Sequence, residues 1–214
     1  MIVYSVNIGK KDILVEPEVK HPKCEYVYYV DNAEGYESEI WDIREVPRKY
    51  EDTTTDSRWY KMHPHLLFPG EDTAYVDANY RPSSNNPLPM AFCDLVGYTH
   101  TASRTCLYDE AQHCINRNIG NVEELKRQIR DYRASGMPKN WGLIMGGVLY
   151  RKPAASEFNE MWWEQFRMYN SLRDQISLQY CMWKTGVDFH RLPFNVLGCH
   201  FSKAGRHLFH GTNH

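Results

Sequence analysis

Nowhere does the sequence run for the roughly 18 uncharged apolar residues that a membrane span needs. The first residues, MIVYSVNIGKKD, have no basic residue before their apolar run and no small-residue cleavage site, so they read as a strand and not as a leader. No CxxC pair occurs among the six cysteines, Cys24, Cys93, Cys106, Cys114, Cys181 and Cys199. Scattered in this way they point to reduced thiols in a cytosolic protein, not to a disulfide frame. A basic excess is missing too: 25 Lys+Arg stand against 27 Asp+Glu, a net charge of −2, which argues against nucleic acid as the main partner. There is no internal repeat and no low-complexity tract. What is present suits one domain: 214 residues, 42% of them hydrophobic, enough for a sizeable core. The 15 Tyr and 6 Trp suggest carbohydrate contact, although such rings fill cores equally well.

The hydrophobic pattern alternates between strand and helix. Strands are expected at Ile2–Ile8, Glu25–Val30, Trp41–Val46, Thr73–Val76, Gly142–Tyr150 and Pro193–Leu197. Helical spacing covers Tyr50–Leu67, interrupted by Pro64. A second helix starts at the Asn121 cap, with Glu124 at its third position, and ends before Gly136 and Pro138. A third begins near Ser156 and carries the stripe Phe158, Trp162, Phe166 and Tyr169. A fourth opens at Ser171 with Asp174 in its first turn, and Arg81–Pro89 is loop by composition. Together these give an α/β fold with a mixed sheet.

Several stretches can carry chemistry. Asp77 and Asn79, two apart after an apolar strand, lie on one side of the extended chain and can hold a hard divalent cation; a plain strand-to-turn junction favours the same residues. Gly146 and Gly147 inside an apolar strand mark the close approach of a ligand or of another backbone, or a bulge. Asp174 is either a base or sugar-hydroxyl acceptor in a cleft, or an acid stabilising the start of a helix capped by Ser171. His200 is the best histidine for a metal because it directly follows a strand, with Lys203 and Arg206 placed to meet phosphate oxygens; His207, His210 and His214 read as incidental to a mobile chain end. The turn Asn7-Ile8-Gly9-Lys10-Lys11 after the first strand can meet a nucleotide. Arg58 and Lys61, three apart, share a helix face leading to the Asp77 strand.

Taken in order, these pieces resemble glycosyltransferases of the GT-A type. Asp77-Ala78-Asn79 corresponds to the DxD triplet, Gly146-Gly147-Val148-Leu149 to the NxGv strand, Asp174-Gln175 to the DQ pair and His200-Phe201 to the late metal histidine. The stretch Arg58–Asn79 also resembles chlorella-virus glycosyltransferases that decorate a capsid glycan. Two departures stand out: Asn79 replaces the usual acid, and the Gly-Lys-Pro-Trp tail is missing. The resemblance implies a single glycosyltransferase domain with a mixed, mostly parallel sheet flanked by helices. Its nucleotide-binding half would be 1–100 and its acceptor-binding half 101–214; a piece of a longer multidomain chain fits equally. It implies a nucleotide-sugar donor, usually UDP-linked, an oligosaccharide or glycoprotein acceptor, and L-rhamnose as one candidate sugar. It places the donor at Val6, Asn7, Gly9, Lys10, Arg58, Lys61, Asp77, Ala78, Lys203 and Arg206, and a Mn²⁺ or Mg²⁺ ion at Asp77, Asn79 and His200. Acceptor and sugar fall to Gly146, Gly147, Trp163, Asp174 and Gln175. The location expected is the cytoplasm, a host's if the protein is viral.

The chemistry expected is transfer. Lys61, Arg58, Lys203 or Arg206 would place fixed positive charge where the departing diphosphate gains negative charge. Asp174 would act as base, inverting the anomeric centre, or as a positioning group on a retaining route. Trp163, off the buried stripe, is the better acceptor wall. A metal-dependent hydrolase using the same Asp/Asn/His set, and an inactive carbohydrate-binding domain, are the rival expectations.

Overall fold

The computed structural model describes residues 1–83, 93–100 and 104–203. Strands β1 (Ile2–Asn7), β2 (Glu25–Val30) and β3 (Asp42–Glu45) precede helices α1 (Thr53–Met62) and α2 (Pro64–Leu67). Strands β4 (Thr73–Val76), β5 (Tyr80–Pro82) and β6 (Leu95–Thr99) follow, then α3 (Leu107–Asn116) and α4 (Val122–Ala134). The chain continues through β7 (Ile144–Arg151), α5 (Ser156–Tyr169), α6 (Asp174–Thr185), β8 (Phe189–Leu192) and β9 (Phe201–Lys203).

Seven strands form one sheet in the order β3-β2-β1-β4-β7-β6-β8, and β5 pairs with β9 in a separate two-stranded sheet. Within the larger sheet only β7 runs against the rest, antiparallel to both β4 and β6. The fold is therefore α/β with a mixed, mostly parallel sheet. All six positions of β1 are buried, and so are five of six in β2, because both faces of these central strands are covered. The edge strand β3, DIRE, is charged and largely exposed, a composition that discourages pairing with another chain.

The buried apolar side chains of α1, α3, α4, α5 and α6 all belong to the cluster on one face, with Tyr4, Val6, Tyr75 and Leu149. The opposite face, carrying Val3, Val76, Val148 and Tyr150, is closed by Trp41, Leu197 and Phe201 from loop, turn and short strand. Among the described residues no helix is long and apolar enough to cross a membrane.

One expected strand is absent. Residues Phe194–Cys199 form a 3₁₀ helix in place of a strand over Pro193–Leu197. Its turns are closed by Val196 N–H on the Pro193 carbonyl and His200 N–H on the Leu197 carbonyl, and Phe194 N–H is taken up by Thr99 Oγ1. Short-range bonds have thus used donors that a ladder would need. The helix expected from Ser171 begins instead at Asp174, for a reason that belongs to the site.

Consecutive strands β1, β2 and β3 step outward to one side, and the chain then returns to lay β4 on the other side of β1. In open α/β sheets ligands sit outside the carboxyl ends of the strands at such a reversal. That places the ends of β1 and β4, with the N-terminal part of β7, around the position to examine.

Candidate functional site

The glycine pair of β7 makes room at this edge. Gly97 of β6 pairs with Leu149 while Thr99 pairs with Ile144, so Met145 to Val148 stand opposite Tyr98 alone and β7 bulges. A Cβ on Gly147 would lie 2.9 Å from Asp77 Oδ2, and one on Gly146 would lie 3.4 Å from Lys61 Nζ. The absence of side chains here admits two charged groups of the protein against the strand. Asp77 itself is tied down on three sides. Its N–H donates to the Gly147 carbonyl at 2.8 Å, its carbonyl accepts from Tyr80 N–H at 2.9 Å, and its Oδ1 accepts from Tyr75 Oη at 2.7 Å.

Lys61 is the centre of the cluster, with a side chain only 2% exposed. Its Nζ donates to Asp174 Oδ2 at 2.7 Å, lies 3.7 Å from Asp77 Oδ1, and sits over the Tyr75 and Trp162 rings at 4.9 and 5.6 Å. Arg58, one turn earlier on α1, brings Nε to 3.0 Å from the same Asp174 oxygen. The end of α1 is fixed by a second layer. The Lys61 carbonyl accepts from Tyr4 Oη and from Arg151 Nη2, each at 2.8 Å, and Arg151 is wholly buried with Nη1 on Asn159 Oδ1.

Asp174 reaches this pair from a loop held out of helical geometry. Leu172 has φ +61°, a left-handed conformation that costs a branched residue about 1 kcal/mol or more, so no helix can run through it from Ser171. Gly120 and Asn121 brace the loop. Asn121 N–H donates to the Ser171 carbonyl, and a Cβ on Gly120 would stand 2.5 Å from that oxygen. The cap falls on Arg173 and not on Ser171, so the expected Ser171 cap with an acid three residues on is not formed; Asp174 is the first helical residue and still places an acid in the first turn. Burial alone would raise the Asp174 carboxyl, but Arg58, Lys61 and the Lys61 hydrogen bond hold it far below the usual carboxylate range. Burial likewise opposes the Arg58 charge, and Asp174, with Tyr75 and Asp77, pushes its pKa up. A carboxylate so stabilised is a weak proton acceptor. The electrostatics thus disfavour Asp174 as a base and favour it as a fixed negative group. Trp162 Nε1 donates to its carbonyl at 2.9 Å, and the neighbouring Gln175 has a buried amide nitrogen without a partner among the described residues.

The end of β1 is organised differently. Val6 is core. Asn7 spends its amide on the following loop: Nδ2 donates to the Asp12 carbonyl and Tyr36 Oη, and Oδ1 accepts from Asp12 N–H. Gly9, at φ +80°, passes so close to α1 that a Cβ would meet Thr53 Cγ2 at 2.9 Å, while its N–H donates to Asp31 Oδ1. Lys10 Nζ donates to the Glu34 carbonyl and Lys11 Nζ to Thr54 Oγ1. Burial lowers the Lys11 pKa, and the Arg58 and Arg48 charges oppose Asp52 and Asp12 there, so the loop brings a third cation beside the start of α1.

The three expected metal ligands, Asp77, Asn79 and His200, are held by different neighbours. Ala78 and Asn79 are buried next to Asp77. Tyr80 pairs with Lys203 and Pro82 with Phe201, while Ser83 N–H donates to the His200 carbonyl. His200 therefore stands beside Ser83, itself four residues along the chain from Asn79. It follows the 3₁₀ helix, not a strand; its Nδ1 bonds Tyr98 Oη at 2.7 Å, and burial lowers its pKa. Among the described residues no three His, Cys, Asp or Glu side chains could together hold a metal ion.

Trp163 lies half-buried on α5 against Tyr50, His63 and Phe166, and none of its ring contacts is with the Lys61 cluster. Arg206, His207, His210 and His214 lie outside the described residues. Sequence reasoning missed Tyr75, Arg151 and Tyr4; the two tyrosines were visible only as positions in apolar strands, and Arg151 lies one residue beyond the expected strand Gly142–Tyr150. No protein-family model matches the chain, and comparison with curated proteins finds no match.

Proposed function

We propose that the chain is a GT-A type glycosyltransferase whose donor, a nucleotide-diphospho-sugar, lies across the carboxyl ends of β1 and β4. The observation that carries this reading is the Lys61–Asp174–Arg58–Asp77 cluster, set against a strand whose two glycines leave space for it. The nucleotide lies towards the Gly9–Lys11 turn. The diphosphate meets the cations of α1, and the sugar lies over Gly146 and Gly147 near Asp174 and Gln175.

In this reading Lys61 and Arg58 take up the negative charge that grows on the departing diphosphate. They are held in place before the donor arrives, so little reorganisation is needed as the bond breaks. Asp174, ionised and doubly paired, orients these cations and the donor sugar and takes no proton from the acceptor. That assignment leans towards a retaining outcome. A Mn²⁺ or Mg²⁺ ion remains part of the proposal only through Asp77 and Asn79. The described residues do not complete a ligand set, and no step here runs through the ion.

Calorimetry with UDP, with and without Mn²⁺, tests the reading. Binding in either condition that is lost in Asp77→Ala supports it, and absence of nucleotide binding in both removes it. Hydrolysis of a panel of UDP- and GDP-sugars without acceptor then identifies the donor.

A further inference from the structure

Arg191, on the opposite half of the sheet, has no carboxylate partner among the described residues. It shares one face of β8 with Phe189, and its guanidinium carbon lies 4.5 Å from the centres of both the Phe189 and Trp141 rings. Nη2 donates to the Trp141 carbonyl at 2.8 Å. Gly142, at φ +107°, lets the backbone pass beneath it, since a Cβ there would stand 2.8 Å from the guanidinium carbon. Two rings, one carbonyl and one obligatory glycine thus hold the fork in a single place.

Its charge is otherwise unanswered. Among the described residues the buried Nε–H has no partner, and neither has Nη1. Burial lowers the Arg191 pKa, and no acidic group acts against that. The contrast with Arg58, Arg104 and Arg173, each paired with a carboxylate, is chemical: a partly desolvated guanidinium without an acid costs free energy that a bound oxyanion would return. β8 runs parallel to β6 and ends at the same sheet edge as β1 and β4.

We propose that Arg191, backed by Trp141 and Phe189, binds the carboxylate of an acidic sugar in the acceptor. This rests on the glycosyltransferase reading for the word acceptor, but the site itself does not depend on nucleotide binding. The planar fork accepts a carboxylate through two N–H groups, and the half-buried Trp141 offers an apolar edge to the ring that carries it.

The test is NMR of the intact chain, following the Arg191 Nε–H and Trp141 Nε1–H resonances during titration with glucuronate, glucose and inorganic phosphate. Glucuronate is expected to move both resonances saturably, with glucose moving neither and phosphate binding about tenfold more weakly. Arg191→Gln should weaken glucuronate by about tenfold or more with unchanged melting temperature, and Arg191→Lys should fall between. No movement with glucuronate overturns the proposal. So does phosphate binding as tightly without moving Trp141, which is an anion site without sugar recognition. UDP is read separately at the Arg58 Nε–H resonance, so failure of the donor site and failure of this one are distinguishable.

Discussion

Lys61 Nζ and Asp174 Oδ2 meet at 2.7 Å across 113 positions of sequence, joining the end of α1 to the start of α6 beneath the glycine bulge of β7. Removing one partner leaves the other charge buried. Asp174→Ala is therefore expected to destabilise the protein by about 3–5 kcal/mol. With Lys61→Met and Asp174→Leu as the single variants, the double variant should recover only part of that loss, since Arg58 still loses its Asp174 partner, while abolishing nucleotide binding. Urea denaturation of the two single variants and the double variant gives the coupling directly.

The same pair fixes an acid limit. A carboxyl held below its unfolded value contributes stability that is fully present above the unfolded pKa, about 3.9, and is lost as pH falls towards the folded value. The stability difference between the wild type and Asp174→Asn should therefore stay constant from pH 8 to about pH 5 and shrink below about pH 4. A difference that changes between pH 5 and 8 would contradict the cluster's charge assignment.

His200 and His63 work in the other direction. Burial lowers both, so the unfolded chain binds protons that the folded chain refuses. Stability should rise with pH up to the unfolded histidine value, about 6.5, and level off above it. Replacing His200 with Gln should flatten part of that rise in a pH series of melting temperatures.

Gly147→Ala isolates the space the bulge provides. The added methyl would stand 2.9 Å from Oδ2 of Asp77, a residue whose Oδ1 accepts from Tyr75 Oη and whose N–H donates to the Gly147 carbonyl. UDP affinity should fall about tenfold, with a stability change within about 1 kcal/mol because Ala suits a strand better than Gly. Gly146→Ala, whose nearest neighbour is the end of a lysine at 3.4 Å, should cost less.

His200→Ala separates the ladder register from the expectation of a late metal histidine. With His200 beside Ser83 and engaged by Tyr98, any Mn²⁺-dependent UDP binding should survive this change and be lost in Asp77→Ala. Calorimetry of the two variants side by side decides it.

Much of this site was visible in the sequence because its signals are local. Thr73–Val76 followed by Asp77 is an apolar strand with an Asx end, the two glycines of β7 stand in an apolar run, and Arg58 and Lys61 have helical spacing. The Asn121 cap and the Phe158–Trp162–Phe166 stripe were legible for the same reason, and Asn121 Oδ1 does accept from Glu124 N–H. What was not legible depends on tertiary partners. α3 opens at Cys106 with no side-chain cap, β8 is only four residues and carries His190 and Arg191, and β6 contains Gly97, which is needed because Ile144 Cδ1 would meet its Cβ at 2.7 Å. The apolar spacing of 193–197 suits a strand, but Thr99 and short-range turns claim its donors. The left-handed Leu172, which sets how Asp174 is presented, follows a Ser171 carbonyl that has room only because residue 120, more than fifty positions upstream, is glycine.

A crystal structure of the protein grown with UDP and Mn²⁺ tests the central claim most directly. The expected result is a diphosphate within hydrogen-bond reach of Lys61 Nζ or the Arg58 guanidinium, beside Asp77 and over the Gly146–Gly147 bulge. Nucleotide bound at another face of the sheet, or no nucleotide at saturating concentration, would contradict it.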